Sequence, residues 1–385
     1  MAILPVQFPP LARATLGAGM AIAIGCGSTS PTSPSSPASG PMAPWAPTPA
    51  RSHDEPAPRP PAAPAASAPS ASATRADPRF DAELTSYPYP FPVQLRELTS
   101  QGQIVRMAYM DVPAVQPNGH TVVLLHGKNF GAYYWEPTIK LLTARGYRVI
   151  APDQIGFGKS SKPERYQYSF QQLAANTRAV LDAAGVTTAS VIGHSMGGML
   201  ATRYALMYPE HVEKLILVNP IGLEDWKTVV PARTIDQLYD QEKKATPDSI
   251  RDYQRNSYYN GVWKPEYEKL IEPAVGMLGH PDYPRVAWAS ALTSDMVYTQ
   301  PVVYEFPNLR VPTLLVIGQR DRTAPGRALA PKDAAAKLGD YPALGKRTAA
   351  AIPGAKLVEI AGAGHVPQVE AFDAYAQAIT EFLPR

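Results

Sequence analysis

The sequence predicts an α/β fold: a mostly parallel central sheet flanked by helices, with an inserted helical cap. Three observations lead there. Short runs of Val, Ile and Leu recur without polar alternation, as strands buried on both faces require. Helical patterns fill the gaps between them, and such alternation implies a parallel sheet with right-handed crossovers. One interval, from Ile221 to about Leu309, breaks the rhythm with polar and aromatic helix-like text and no strand-like run.

Composition agrees with a folded core. The 385 residues are 45% apolar and 18% charged, and the formal net charge of +3 points to no polyanionic partner. There is no basic run interleaved with aromatics, so no nucleic-acid partner is expected. No stretch reaches the ~18 continuous apolar residues that a membrane-spanning helix needs.

The N-terminal quarter reads differently. Arg13 precedes a short apolar run, Leu16 to Ile24, followed by small residues and Cys26, which is the order of a secretory signal. Ala23-Ile24-Gly25-Cys26 resembles a bacterial lipobox, with Ala23 where leucine is usual. That resemblance implies removal of residues 1–25, lipidation of Cys26 and an exported protein that meets the membrane only through this anchor. The alternatives are an ordinary cleaved signal or an uncleaved tail. Cys26 is the single cysteine, so no intrachain disulfide is possible and bridges cannot report the compartment. Residues 26–79 are rich in Pro, Ala and Ser, and about half of the 42 prolines lie before residue 93. Such text lacks the apolar surface to offset its ordering entropy and is expected to form a tether.

The folded part divides into core residues 80–220, the cap 221–310 and core residues 311–385. Val93–Leu98 and Ile104–Met110 open it as β-like stretches. Buried-strand runs follow at His120–Gly127, Tyr147–Asp153, Ala189–Ser195, Lys214–Pro220, Pro312–Asp321 and Lys356–His365. Ser169, with Gln172 three residues on, predicts a capping box for a helix carrying Leu173, Val180 and Leu181. A second helix starts at the Ser195 corner, presents Met199, Leu200, Tyr204 and Met207, and stops at Pro209. A third, Glu370–Leu383, closes the chain. The interval between Ile221 and Leu309 is too long for a plain connection, and its aromatics are expected to pack the cap rather than meet a substrate.

Four short motifs carry chemistry. Gly193-His194-Ser195-Met196-Gly197 places one serine between small residues where a strand becomes a helix. Such a corner can hold a hydroxyl out on a strained turn, beside a helix N-terminus that favours developing negative charge. The pattern alone is short enough to arise by chance. Three further motifs end separate strands: His126-Gly127-Lys128-Asn129, Gly318-Gln319-Arg320-Asp321 and Gly364-His365. Hydrolysis through serine needs a base for the hydroxyl proton and a carboxylate to orient that base, and His365 and Asp321 are of those types.

With these motifs in the chain order Ser, Asp, His, residues 90–385 resemble a capped α/β-hydrolase. The resemblance implies Ser195 as nucleophile, Asp321 as acid and His365 as base. It further implies an oxyanion hole made by the backbone N–H groups of Lys128 and Met196. His126 is expected to be structural, His194 to point away from the serine hydroxyl, and the Lys128 side chain to be solvated. Asp153-Gln-Ile-Gly-Phe-Gly resembles a structural turn of the same family.

The implied activity is cleavage of a small-to-medium carboxylic ester, a small-molecule acyl substrate, through an acyl-enzyme. No cofactor is implied, since there is no HExxH, no paired cysteine and no P-loop. Serine at the corner separates the chain from haloalkane dehalogenases and most epoxide hydrolases, which use aspartate. Hydrolysis of a C–C bond in a vinylogous diketone is a rival, because SMGG and a helical cap recur in that group. Against it, those enzymes tend to carry Asn before the serine and Trp after the histidine, where this chain has His194 and Val366. Lactonase and perhydrolase activities stay open. The rival of another class is a non-catalytic binding protein, which a missing triad member would favour; none is missing.

Overall fold

The computed structural model of the chain describes residues 79–385. The signal-like segment, Cys26 and the tether up to residue 78 lie outside the described residues. The strands are β1 (Val93–Ser100), β2 (Gln103–Val112), β3 (Thr121–Leu125), β4 (Arg148–Pro152), β5 (Ala189–His194), β6 (Val212–Val218), β7 (Thr313–Gly318) and β8 (Lys356–Ile360). They form one sheet in the order β1-β2-β4-β3-β5-β6-β7-β8. β2 is antiparallel to β1 and β4, and every other pairing is parallel.

The unbroken apolar runs are explained by burial on both faces. Val123, Leu125, Val191, Leu215, Leu217, Leu315 and Ile317 join one core cluster, while Val122, Leu124, Ile192, Ile216, Val218, Leu314 and Val316 join another. Successive side chains point to opposite faces, so each strand feeds both cores. The first face is covered by α2 (Phe170–Ala183), α3 (Met196–Met207) and α9 (Tyr341–Ala351), which contribute Leu173, Met199, Tyr204 and Tyr341. The second is covered by α1 (Glu136–Ala144) and α11 (Phe372–Phe382), with Ile139, Tyr375 and Ile379. α8 (Lys332–Ala335) and α10 (Pro367–Glu370) are single turns.

The parallel register brings the strand ends to one edge. Leu125 pairs with Gly193, His194 with Val218, Val218 with Val316 and Gly318 with Ile360. Residues just past β3, β5, β6, β7 and β8 therefore emerge together, the place where open α/β sheets bind ligands. The predicted runs overshoot the strands at this edge: β3, β7 and β8 stop two, three and five residues early. The surplus residues form the loops that carry the motifs.

The cap runs between β6 and β7 and holds α4 (Ile235–Lys243), α5 (Pro247–Ser257), α6 (Glu268–Met277) and α7 (Tyr283–Thr299). Thr234 with Gln237, and Thr246 with Ser249, form reciprocal capping boxes that start α4 and α5. None of the helices among the described residues is long and apolar enough to cross a membrane.

An arm, residues 79–92, precedes β1. The N–H groups of Arg79 and Phe80 both donate to Gly276 O on α6, at 2.9 and 3.0 Å. Arg285 of α7 pairs with Glu83 at 2.7 Å, Lys159 donates to Leu84 O, and Tyr89 donates to Asp153 Oδ2 at 2.7 Å. Asp153 also accepts from the N–H groups of Ala132 and Lys159, at 2.6 and 2.8 Å, so the turn after β4 is a structural hub.

Two helix expectations need correction. Ser169 accepts the Gln172 N–H at 3.0 Å, but the Gln172 amide turns forward to Asn176, and only half of the box forms. Gln300, at the end of α7, accepts the next N–H of the first turn, that of Phe170, at 3.0 Å. The last helix is also split, with Ala371 at φ −142° and ψ 56° between α10 and α11. The predicted start, Glu370, ends α10 instead, and its carboxylate turns back to accept from Gly364 and Val366.

Candidate active site

Ser195 sits between β5 and α3 at φ 56° and ψ −121°, a positive φ that side chains with a β-carbon avoid. The flanking glycines make the corner possible. A Cβ on Gly193 would lie 2.1 Å from Gly197 O, and one on Gly197 would lie 2.1 Å from Leu125 O. The Ser195 carbonyl accepts the N–H groups of Gly198 and Ile221, at 2.9 and 3.2 Å, and holds the turn. Only 4% of the residue is exposed.

The loops after β7 and β8 bring Asp321 and His365 to this serine. His365 Nε2 is 2.9 Å from Ser195 Oγ, and His365 Nδ1 is 2.6 Å from Asp321 Oδ2. Both side chains are fully buried. Asp321 Oδ1 accepts the Thr323 N–H at 2.7 Å, and Oδ2 accepts from Asn219 Nδ2 at 2.8 Å. Asn219, with φ at 36°, turns its other amide atom to the Gly318 N–H at 2.8 Å, so one side chain pins both Asp321 and the end of β7. The nearest carboxylates after β6 point elsewhere: Glu224 accepts the Gly339 N–H and Asp225 the Tyr304 hydroxyl.

The backbone of His365 is held as closely as its ring. Its N–H donates to Tyr258 O at 2.9 Å, and its carbonyl lies 2.8 Å from His194 Nε2. A carbonyl only accepts, so His194 carries its proton on Nε2, and Nδ1 accepts from the Tyr134 hydroxyl at 3.0 Å. Burial, with His365 nearby, holds His194 well below the ordinary imidazole range, so it stays neutral. His126 is likewise depressed by burial; its Nε2 accepts the Gln154 N–H at 3.0 Å. Glu370 brackets the loop by accepting from Gly364 and Val366, on either side of His365. Burial pushes its carboxyl upward against those two hydrogen bonds.

The cap contributes to the site directly. The Tyr258 ring stacks on His365 with centroids 4.6 Å apart and planes 30° apart. The cap aromatics are expected to pack the cap rather than meet a substrate; this one packs on the base of the site. The Lys128 side chain needs correction. Rather than being solvated, Nζ donates to Ser290 Oγ at 2.7 Å and lies 3.7 Å from Glu242 Oε1, with 18% of the side chain exposed. Among the described residues no acceptor takes the backbone N–H of Lys128 or of Met196. Met196 opens α3 directly after Ser195, and Lys128 follows β3, whose last residue pairs with Gly193.

A surface groove of about 560 Å³, lined by residues including Glu224, Tyr304, Lys337 and Arg347, contains none of Ser195, Asp321 and His365. The buried chain of hydroxyl, imidazole and carboxylate has the geometry to draw the serine proton onto Nε2 while Asp321 steadies the charge that forms.

Comparison with known proteins agrees with the fold. A family model for the alpha/beta hydrolase fold matches residues 120–261. The crystal structure of a probable hydrolytic enzyme from Pseudomonas aeruginosa PAO1 is 53% identical, covers 80% of this chain and 99% of that one, and superposes with a TM-score of 0.79. A 2-hydroxy-6-oxo-2,4-heptadienoate hydrolase of Pseudomonas putida is 25% identical over 221 residues, which are 54% of this chain and 74% of that protein. A thermophilic esterase from Thermogutta terrifontis shares the fold at 23% identity and a TM-score of 0.57, over 75% of this chain and 97% of that one. A relative at 53% identity along nearly its whole length, together with the parallel sheet and its strand-end site, establishes that the chain belongs to the α/β-hydrolase fold family.

Proposed function

We propose that the protein is a serine hydrolase that cleaves small-to-medium carboxylic esters through an acyl-enzyme. The observation that carries this reading is the Asp321–His365–Ser195 chain, with links of 2.6 and 2.9 Å. His365 Nε2 takes the hydroxyl proton as Ser195 Oγ bonds to the ester carbonyl carbon. The carbonyl oxygen becomes an oxyanion between the N–H groups of Lys128 and Met196. The C–O bond to the alcohol then breaks, and the imidazolium returns its proton to that oxygen. Water repeats the sequence: His365 takes its proton, hydroxide adds to the acyl carbon, and Ser195 leaves reprotonated as the acid is released. The low exposure of Ser195 and the Tyr258 ring beside His365 support a compact acyl group.

C–C bond hydrolysis is the second reading, supported by the likeness to the Pseudomonas putida hydrolase. The test is a fluorophosphonate label followed by turnover of a p-nitrophenyl ester chain-length series beside a vinylogous diketone. Ser195→Ala is expected to lose labelling and turnover, by on the order of 10⁶-fold, with the fold unchanged. Wild-type turnover in that variant would remove the reading, and preference for the diketone would select the C–C reaction.

A further inference from the structure

The loop after β3 is built of core backbone, but its side chains are held by the cap. Lys128 Nζ reaches Ser290 on α7 and approaches Glu242 on α4, so one cation bridges two cap helices. Next to it, Asn129 Nδ2 donates to the Tyr258 hydroxyl at 2.8 Å. Tyr258 in turn stacks on His365 and accepts its N–H. A mostly buried ammonium is costly without partners, so these contacts mark a fixed post rather than a loose surface side chain.

The start of this loop is fixed: Gly127 O takes the Phe130 N–H at 3.2 Å and lies 2.9 Å from His126 Nδ1, and Gly127 packs against His194 and Ser195. Residues 126–129 belong to neither a strand nor a helix, and among the described residues the backbone groups of Lys128 and Asn129 themselves make no hydrogen bond, so their side chains are their polar anchors. The orientation of the Lys128 N–H thus depends on where its side chain is anchored.

We propose that Lys128 is a positioning residue through which the cap sets the oxyanion site. Seating α4 and α7 on the Lys128 ammonium fixes the direction of that residue's own backbone N–H. The acyl-transfer site is complete only with the cap seated. This rests on the reading of the Lys128 N–H as an oxyanion donor. The cap then governs the rate of the chemical step as well as the choice of substrate. An ammonium that instead bound an anionic part of the substrate would act on KM.

The experiment compares wild type, Lys128→Met, Ser290→Ala, Glu242→Gln and the double variant Lys128→Met/Ser290→Ala. It reads kcat and KM on p-nitrophenyl acetate, the fluorophosphonate labelling rate and thermal stability. Misplacing a catalytic group by about an ångström can cost ~100-fold, so Lys128→Met should lower kcat by roughly 10- to 100-fold. KM should stay within about twofold, the pattern of an interaction felt in the transition state. Ser290→Ala should lower kcat by less and add nothing in the Lys128→Met background, because both act through one contact. Unchanged kcat with a raised KM, additive losses, or no change at all would overturn the proposal. Should Lys128→Met fail to fold, Ser290→Ala and Glu242→Gln carry the same split between kcat and KM. Labelling that persists in Ser195→Ala removes the hydrolase reading and this proposal with it. Labelling lost there, alongside wild-type kcat in Lys128→Met, removes this proposal alone.

Discussion

Asn219 offers a sharp test of how the site is held. Its amide donates to Asp321 Oδ2 at 2.8 Å, and the same oxygen takes His365 Nδ1. Asn219→Asp replaces that donor with a carboxyl of nearly equal shape. At an effective dielectric constant of about 20, two full charges at the observed 2.8 Å repel by about 6 kcal/mol, or about four pK units. A carboxyl that ordinarily titrates near 3.9 would therefore keep its proton until roughly pH 8. Below that pH its O–H donates to Asp321 and its carbonyl oxygen still accepts the Gly318 N–H, so both native bonds survive. Above it the proton leaves, and Oδ2 is repelled from the position that orients His365. The assay is the fluorophosphonate labelling rate of the variant relative to wild type across pH. The ratio should lie within about twofold of one near pH 6 and fall by about tenfold or more at pH 9. Asn219→Ala should be impaired at every pH, since it loses both bonds. A ratio for Asn219→Asp that stays flat to pH 9 would falsify the claim that this amide holds Asp321.

Two further outcomes follow from the same geometry and from the N-terminal sequence. Asp321→Asn should lower turnover by on the order of 10³–10⁴-fold by removing the group that fixes the His365 tautomer, while Glu224→Gln and Asp225→Asn should change it little. Steady-state ester kinetics on the three variants decide this, and near-normal rates for Asp321→Asn would place the acid elsewhere. If Cys26 is the lipid attachment site, full-length protein from a bacterial host should enter the detergent phase and yield a lipid-shifted N-terminal peptide, and Cys26→Ser should do neither. Identical soluble partitioning of both forms would leave an ordinary signal or an uncleaved tail.

The sheet was readable because each parallel strand is apolar on both faces, and the site because its motifs sit where those runs end in glycine. Ser195, Asp321 and His365 needed only strand order to be placed at one edge. The residues that hold them were not readable, since their partners are distant in the chain. Asn219 serves Asp321 across 102 positions, and His194 serves the His365 carbonyl across 171. Nothing local marks either job. Tyr258 looked like ordinary cap packing because its contact with His365 exists only once α5 lies over the sheet edge. Lys128 read as solvated because a lone lysine after a strand usually is; its partner Ser290 lies 162 positions away. The Gln172 amide had two possible partners, the Ser169 N–H behind it and Asn176 ahead, and the sequence pattern does not choose between them.

The arm before β1 also determines where a pull on the N-terminal side of the chain is felt. Tension arriving at Arg79 meets α6 before it meets the sheet, because the first two N–H groups share the single acceptor Gly276 O. Two bonds on one acceptor, each worth about 1 kcal/mol, resist little by themselves. Behind them the arm is held again, by Phe80 and Leu84 buried in the core, by the Arg285–Glu83 pair and by the Tyr89–Asp153 bond. β1, paired to β2 over eight residues, lies beyond all of these, so the arm shields the edge of the sheet from a pull on the N-terminal side of the chain.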